Sequence, residues 1–173
     1  MPNAPLEIER KFLIRMPVLS ALEAQPGVRI KQILQTYLST VPGITARVRC
    51  VREGTAIDYI YTEKRRLSAL TAVEEECAVP AEEYELLLQK ADQARRPIEK
   101  TRYVIPYEGH DMEIDVYPFW QDRAILEIEL KSEDEAFLLP PYLHVLAEVS
   151  GDKRYKNVNL AQKIPNDPLP EDA

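Results

Sequence analysis

Charged residues of one sign recur two positions apart along the chain. Glu7 and Glu9 precede Lys11, Arg47 precedes Arg49, Glu74 precedes Glu76, and Lys100 precedes Arg102. Glu113 and Asp115 repeat the spacing, as do Glu127 and Glu129 with Lys131, while Lys64 follows Thr62. Side chains two apart on an extended strand point to the same face. Like charges held side by side are costly unless something of opposite sign stands between them. Carboxylate pairs therefore ask for a cation, and Lys/Arg pairs for an anion. Carboxylate oxygens suit hard ions such as Mg²⁺ or Mn²⁺, whose remaining positions phosphate oxygens fill. Lys11, Arg47, Arg49, Lys64, Lys100 and Arg102 suffice to surround several phosphates, with arginine forks binding them bidentately. Cations placed this way neutralise charge as a P–O bond breaks. No Ser/His/Asp or Cys/His nucleophile set is recognisable, so water is the expected nucleophile.

These residues need strands to align them. Period-2 alternation predicts strands at Leu6–Ile14, Ile33–Ser39, Thr45–Val51, Asp58–Lys64, Thr71–Val79, Glu99–Tyr107, Asp111–Tyr117 and Ala124–Lys131. Helical spacing predicts Val18–Ala24 and a long helix over Ala81–Arg95, with Tyr84, Leu87, Leu88 and Ala91 on one face. Two short helices are expected near Glu133–Leu138 and Asn159–Lys163. Any one such strand reads as a sheet with its charged face in water. Same-sign pairs on six strands, with Lys64 on a seventh, point instead to a shared polar interior. Short sequential connections favour antiparallel pairing, and eight strands are enough to close a small barrel. The fold class expected is α+β, mainly β: an eight-stranded antiparallel barrel with a charged lumen, flanked by helices.

Composition narrows the partners. The chain has 173 residues, 45% hydrophobic and 29% charged, which suits one globular domain. A formal net charge of -7 argues against nucleic acid. With 5 glycines and neither a Walker pattern nor GxGxxG, any phosphate must be held by side chains. Cys50 and Cys77 are too few for a disulfide scaffold or a zinc site and are expected to be buried free thiols. No apolar run reaches the roughly 20 residues of a membrane span, and MPNAPLEIERKFL is not a signal peptide, so the expectation is a cytoplasmic protein without a membrane partner. His110 and His144 are expected to be structural or solvated, and Tyr117 and Trp120 to cap a core. The domain is expected to span residues 1–164, with Pro165, Pro168 and Pro170 leaving 165–173 a frayed tail.

Taken in order, the charged motifs resemble the CYTH superfamily, also called triphosphate tunnel metalloenzymes. Glu7-Ile8-Glu9-Arg10-Lys11 fits its ExExK signature. Arg47-x-Arg49, Lys64, Glu74-x-Glu76, Glu99-Lys100-Thr101-Arg102-Tyr103, Glu113-x-Asp115, Glu127-x-Glu129 and Asp152-Lys153-Arg154-Tyr155-Lys156-Asn157 extend the match. The resemblance implies an eight-stranded tunnel in which Glu7, Glu9 and Glu129, with Glu127 beside them, bind a catalytic Mg²⁺ or Mn²⁺. It implies that Lys11, Arg47, Arg49, Lys64 and Arg102 hold the triphosphate. Lys100 either positions or activates the attacking water or binds substrate. Glu113 and Asp115 serve a second metal or orient the basic residues, and Glu74 and Glu76 pair with lumen arginines or join the metal. Tyr155 is read as packing. The likeness is greatest to the bacterial inorganic tripolyphosphatases, which implies hydrolysis of tripolyphosphate to pyrophosphate and phosphate. Hydrolysis of thiamine or nucleoside triphosphates, class IV adenylate cyclase activity, and non-catalytic polyphosphate or nucleotide binding stay open. So does the oligomeric state, a homodimer included.

Overall fold

Each segment of period-2 alternation becomes a strand, because a closed wall buries one set of alternate residues in the lumen and the other under surrounding elements. The computed structural model describes residues 5–169. The strands are β1 (Leu6–Arg15), β2 (Arg29–Leu38), β3 (Thr45–Glu53), β4 (Ala56–Arg66), β5 (Thr71–Ala78), β6 (Ile98–Tyr107), β7 (His110–Val116), β8 (Arg123–Leu130) and β9 (Val145–Glu148). Helices are α1 (Leu19–Glu23), α2 (Ala81–Leu88) and α3 (Asn157–Leu160), the last preceded by a 3₁₀ turn at Lys153–Tyr155. The order around the sheet is β5-β4-β3-β2-β6-β7-β8-β1, and β1 pairs back with β5. All pairings are antiparallel, so the eight strands close into a barrel.

Strand β1 carries the closure in two halves. Leu6–Ile8 pair with β5, whereas Phe12–Ile14 pair with β9. Between them Lys11 N donates to Ser150 Oγ and its carbonyl accepts from Val149 N, so residues 149–156 fill the seam. The hairpin joining β6 to β7 turns at Glu108 and Gly109, with φ of 46° and 82°. Positive φ at both central residues matches the turn to the right-handed strand twist, and glycine makes it cheap at the second.

Apolar side chains form an outer layer and a plug. Outside the wall, Phe12, Ile14, Tyr103, Ile105, Met112, Ile114, Leu126 and Ile128 pack with Leu22 of α1 and with Leu143. Val48, Ala46 and Leu38 pack against Tyr84 of α2. Inside, Leu13, Tyr37, Ile98, Tyr117 and Ile125 meet Trp120, Val149, Tyr155, Leu160 and Ala161 and fill one end of the barrel. The aromatic residues Tyr117 and Trp120 cap a core, and Tyr155 packs, as the sequence suggested.

Several boundaries differ from the sequence reading. Helix α2 stops at Leu88, not Arg95, because Ala91 bridges to Leu38 and Asp92 N donates to the Tyr37 carbonyl. Pairing with β2 outweighs helix propensity there. Residues 133–138 are not helical. Lys131 N donates to Glu135, residues 133–134 form a turn, and the irregular segment after it places Phe137 and Leu139 on the outer core while Leu138 stays exposed. Strand β9 was missed, β2 begins earlier at Arg29, and α3 begins earlier at Asn157. Cys77 is exposed and Cys50 only half-buried, because both face outward on the wall. The tail is docked at least to Leu169: Trp120 Nε1 donates to the Pro165 carbonyl at 2.9 Å, Arg123 donates to the Asp167 carbonyl, and Ile164 and Leu169 pack on the plug. Pro170 lies outside the described residues. No described helix is long and apolar enough to cross a membrane.

The plug depends on Trp120, so Trp120→Ala is expected to cost about 3–5 kcal/mol of stability. The check is a shift of the urea unfolding midpoint with an unchanged slope.

Candidate active site

The lumen charges follow from register. Inward-facing positions on β4, β3, β2 and β6 carry Lys64 and Arg66, Arg47 and Arg49, Lys31, and Lys100 and Arg102. Those on β7, β8, β1 and β5 carry Glu113 and Asp115, Glu127 and Glu129, Glu7, Glu9 and Lys11, and Glu74 and Glu76. Four adjacent strands are thus basic, and the other four are acidic apart from Lys11. A cavity of about 880 Å³ lies between them. Residues 40–46 and Lys153, Lys156 and Asn157 of the C-terminal segment also line it.

Ion pairs stitch the two halves together. On the β4/β5 border Lys64 Nζ lies 2.5 Å from Glu7 Oε1, 3.5 Å from Glu74 Oε2 and 3.9 Å from Glu9 Oε1. Arg49 Nη2 donates to Glu76 Oε2 at 2.7 Å, and Thr62 Oγ1 donates to the same oxygen. On the β6/β7 border Arg102 donates to both oxygens of Asp115, at 2.7 and 2.8 Å, and contacts Glu113 at 2.7 Å. Lys11 Nζ lies 3.3 Å from Glu127, which also faces Arg102 at 3.6 Å.

Not every polar group is matched. Arg47 Nε and Arg49 Nε are buried without a hydrogen-bond partner. Glu7 Oε1 and Glu74 Oε2 also lack a hydrogen bond of good geometry, although both contact the Lys64 ammonium. Buried groups left this way are costly unless a ligand completes them.

Acidity follows the same geometry. Burial, then Glu127, pushes Glu9 up to about 7. Burial also pushes Glu113 up to about 7, against the pull of Arg102. Burial and then Glu7 raise Glu129, and burial with a hydrogen bond to Glu74 raises Glu7. Burial pushes Glu127 the same way, but Lys11, Arg102 and Lys100 outweigh it and hold that carboxyl well below its ordinary range. Burial lowers Lys100 to about 8.

Glu7, Glu9, Lys11, Arg47, Arg49, Lys64, Arg102, Glu127 and Glu129 all line the cavity, as expected from alternation. Lys100 and Asp115 do not. They are paired at 2.9 Å one level deeper, where the interior closes toward the plug. Asp115 therefore has no oxygen turned toward the lumen for a metal, and its contacts fit the role of orienting Lys100 and Arg102. Glu74 and Glu76 are ion-paired to Lys64 and Arg49. Lys31 and Arg66 also line the cavity and were missed, and Lys153 and Lys156, quoted only as part of a motif, line it as well. Extending the alternation two residues past Lys64 would have found Arg66. Lys156 reaches the lumen only through the fold of the C-terminal segment, where burial and then Arg66 and Lys11 lower its ammonium to about 8.

A barrel that sets four basic strands against acidic ones has a charge pattern complementary to a polyanion together with a cation. No family model matches the chain. It is 37% identical over 164 residues to the inorganic triphosphatase of Nitrosomonas europaea, covering 92% of this chain and 99% of that protein. To the inorganic triphosphatase of Acetivibrio thermocellus it is 30% identical over 158 residues, with coverages of 90% and 93%. A solved crystal structure of an inorganic triphosphatase superposes with a TM-score of 0.56 at 32% identity, covering 92% and 97% of the two chains. The chain belongs to the CYTH family of triphosphate tunnel metalloenzymes, among the inorganic triphosphatases.

Membership implies a divalent metal. The donor set fits one: Glu7, Glu9 and Glu129 offer hard oxygen ligands from neighbouring strands, and Glu9 stands directly opposite Glu129 in the β1/β8 ladder. Among the described residues no three such side chains are yet drawn together around one point, and the Lys64 ammonium stands among them.

The raised carboxyls set a pH dependence. Glu9 and Glu113 bind protons more tightly folded than at their ordinary value of 4.5. Their contribution to stability is therefore full below about 4.5 and is lost as pH rises through about 7. Metal-free protein is expected to melt at lower temperature at pH 8 than at pH 6, and Glu9→Gln is expected to shrink that difference. An unchanged difference in Glu9→Gln would contradict the assignment.

Proposed function

We propose that this chain hydrolyses inorganic triphosphate to pyrophosphate and phosphate in the barrel lumen, with Mg²⁺ or Mn²⁺ as the metal. The observation that carries this reading is the pair of buried arginine donors, Arg47 Nε and Arg49 Nε, left unpartnered in the basic half of the barrel. A linear chain of phosphates supplies oxygens to both forks, and its own charge balances the basic half. Arg47, Arg49, Arg102, Lys11 and Lys64 bind and align the triphosphate. Glu7, Glu9 and Glu129 hold the metal, which when bound polarises phosphoryl oxygens and offsets developing charge. Glu127, tied to Lys11 and Arg102, keeps those two cations aimed inward. Asp115 does the same for Arg102 and Lys100.

Water is the nucleophile. Lys100 does not line the cavity, but with its acidity shifted to about 8 it is partly neutral in mildly alkaline solution and able to take a proton from a water that reaches its level below Arg102. The free thiols Cys50 and Cys77 suit a reducing compartment such as the cytoplasm.

Phosphate release from inorganic triphosphate, ATP and thiamine triphosphate, with Mg²⁺, Mn²⁺ or EDTA, tests the reading. Fast release from inorganic triphosphate, abolished by EDTA, is the expected result. Cyclic AMP and pyrophosphate from ATP would instead indicate a cyclase, and binding without turnover a sensor. Glu7→Gln, Glu129→Gln and Arg47→Ala are each expected to lower kcat/KM by about 10²-fold or more. Activity is expected to rise as pH increases through about 8, the range in which Lys100 loses its proton. Lys100→Arg, which cannot deprotonate there, is expected to remove the rise.

A further inference from the structure

Lys64 stands at a border. Its strand, β4, is the last basic one, and its cross-strand neighbour on β5 is Glu74. The ammonium does not point into the basic half with Arg47 and Arg49. It reaches over the acidic half, to Glu7, Glu74 and Glu9, at 2.5, 3.5 and 3.9 Å. Two of those carboxylates, Glu7 and Glu9, are the ones assigned above to the metal. In the metal-free protein one monovalent cation therefore holds the oxygens that a dication would hold.

We propose that Lys64 is an internal counter-cation that keeps the metal site closed until a polyphosphate arrives, so that metal and substrate bind as a coupled pair. The inference rests on the proposed function, in which Glu7 and Glu9 are metal ligands. Two cations cannot share the same carboxylates cheaply in a cavity shielded from water, because their repulsion is screened far less there than in bulk solvent. Metal binding therefore requires the ammonium to leave.

The flexible four-carbon stem of lysine allows that movement. Its destination is set by the barrel: the next inward residue on β4 is Thr62, directly opposite Arg47 on β3. Without an anion, a third cation beside Arg47 and Arg49 is disfavoured by repulsion, since Glu76 is ion-paired with Arg49 alone and both arginine Nε donors lack a partner. With a phosphate oxygen between them, the same position becomes favourable. Polyphosphate thus draws Lys64 off Glu7 and Glu9, which opens them to the metal. By linkage, the metal in turn tightens polyphosphate binding by the same factor. A lysine that served only to hold phosphate would leave the affinity for metal alone unchanged when removed.

The test is Mn²⁺ binding to metal-free protein by isothermal titration calorimetry, with and without non-hydrolysable imidotriphosphate. Wild-type protein is expected to bind Mn²⁺ alone weakly, and at least tenfold more tightly with the analogue present. Lys64→Met is expected to bind Mn²⁺ alone at least tenfold more tightly than wild type. Lys64→Arg keeps the charge and is expected to stay as weak as wild type. Should Lys64→Met fail to fold, as judged by circular dichroism and melting, Lys64→Gln takes its place with the same tightening expected. Equal Mn²⁺ affinity in wild type and the uncharged variants overturns the proposal and leaves the metal assignment standing. Failure of Mn²⁺ to bind any of these proteins, with or without the analogue, overturns both.

Discussion

The structure depends on one electrostatic constraint: charges enclosed in a barrel must be opposed. Removing a charged side chain from water costs several kcal/mol, and a partner of opposite sign recovers that only with good geometry. Here the opposition is made across the lumen as well as between neighbours. Strands β4, β3, β2 and β6 present cations, and β7, β8, β1 and β5 present carboxylates. Where the two halves meet, Lys64 with Glu74 and Arg102 with Asp115 form ladder neighbours that balance locally. Farther from those borders balance is incomplete, as the unpartnered nitrogens of Arg47 and Arg49 record. The same incompleteness gives a polyanion and a dication something to bind.

Closure of the wall is what makes the constraint binding. An open sheet would let the charged face reach water, and none of these residues would be perturbed. Strand β1 closes it by pairing with β5 through its first half and with β9 through its second. The segment after β9 then fills the seam, and Lys11 Nζ donates to the Tyr155 carbonyl at 3.3 Å. The apolar plug seals one end, so burial rather than mere crowding is the leading cause of the raised acidity of Glu9 and Glu113. Depth within the lumen also divides labour. Lys100 and Asp115, one level below Arg102, are enclosed, whereas Glu7, Glu9 and Lys64 face the cavity.

Much of this was legible from local pattern. Period-2 alternation located eight strands, because a wall with two different faces imposes that period on any sequence that forms it. Same-sign pairs such as Arg47 with Arg49 indicated that the charged face was an interior, since a solvent face has no reason to concentrate one sign. Boundaries governed by long-range pairing were not legible. The end of α2 is set by the bridge between Ala91 and Leu38, and β9 forms only because β1 offers a free edge past Ile8. The docked tail was invisible for the same reason: its partners, Trp120 and Arg123, lie more than forty residues away in sequence.

The sequence by itself determined which residue types face inward together on each strand, and hence that carboxylates, lysines and arginines share one interior. Side-chain direction along a strand is a local property, so neighbours two apart suffice to establish it. Only the tertiary structure decided which strands adjoin, and that order gathers the basic pairs on one side and the acidic pairs on the other. It also decided that Asp115 is enclosed against Arg102 and Lys100, and that Lys64 leans onto Glu7. These outcomes depend on distances between residues far apart in the chain, which are fixed when the barrel closes.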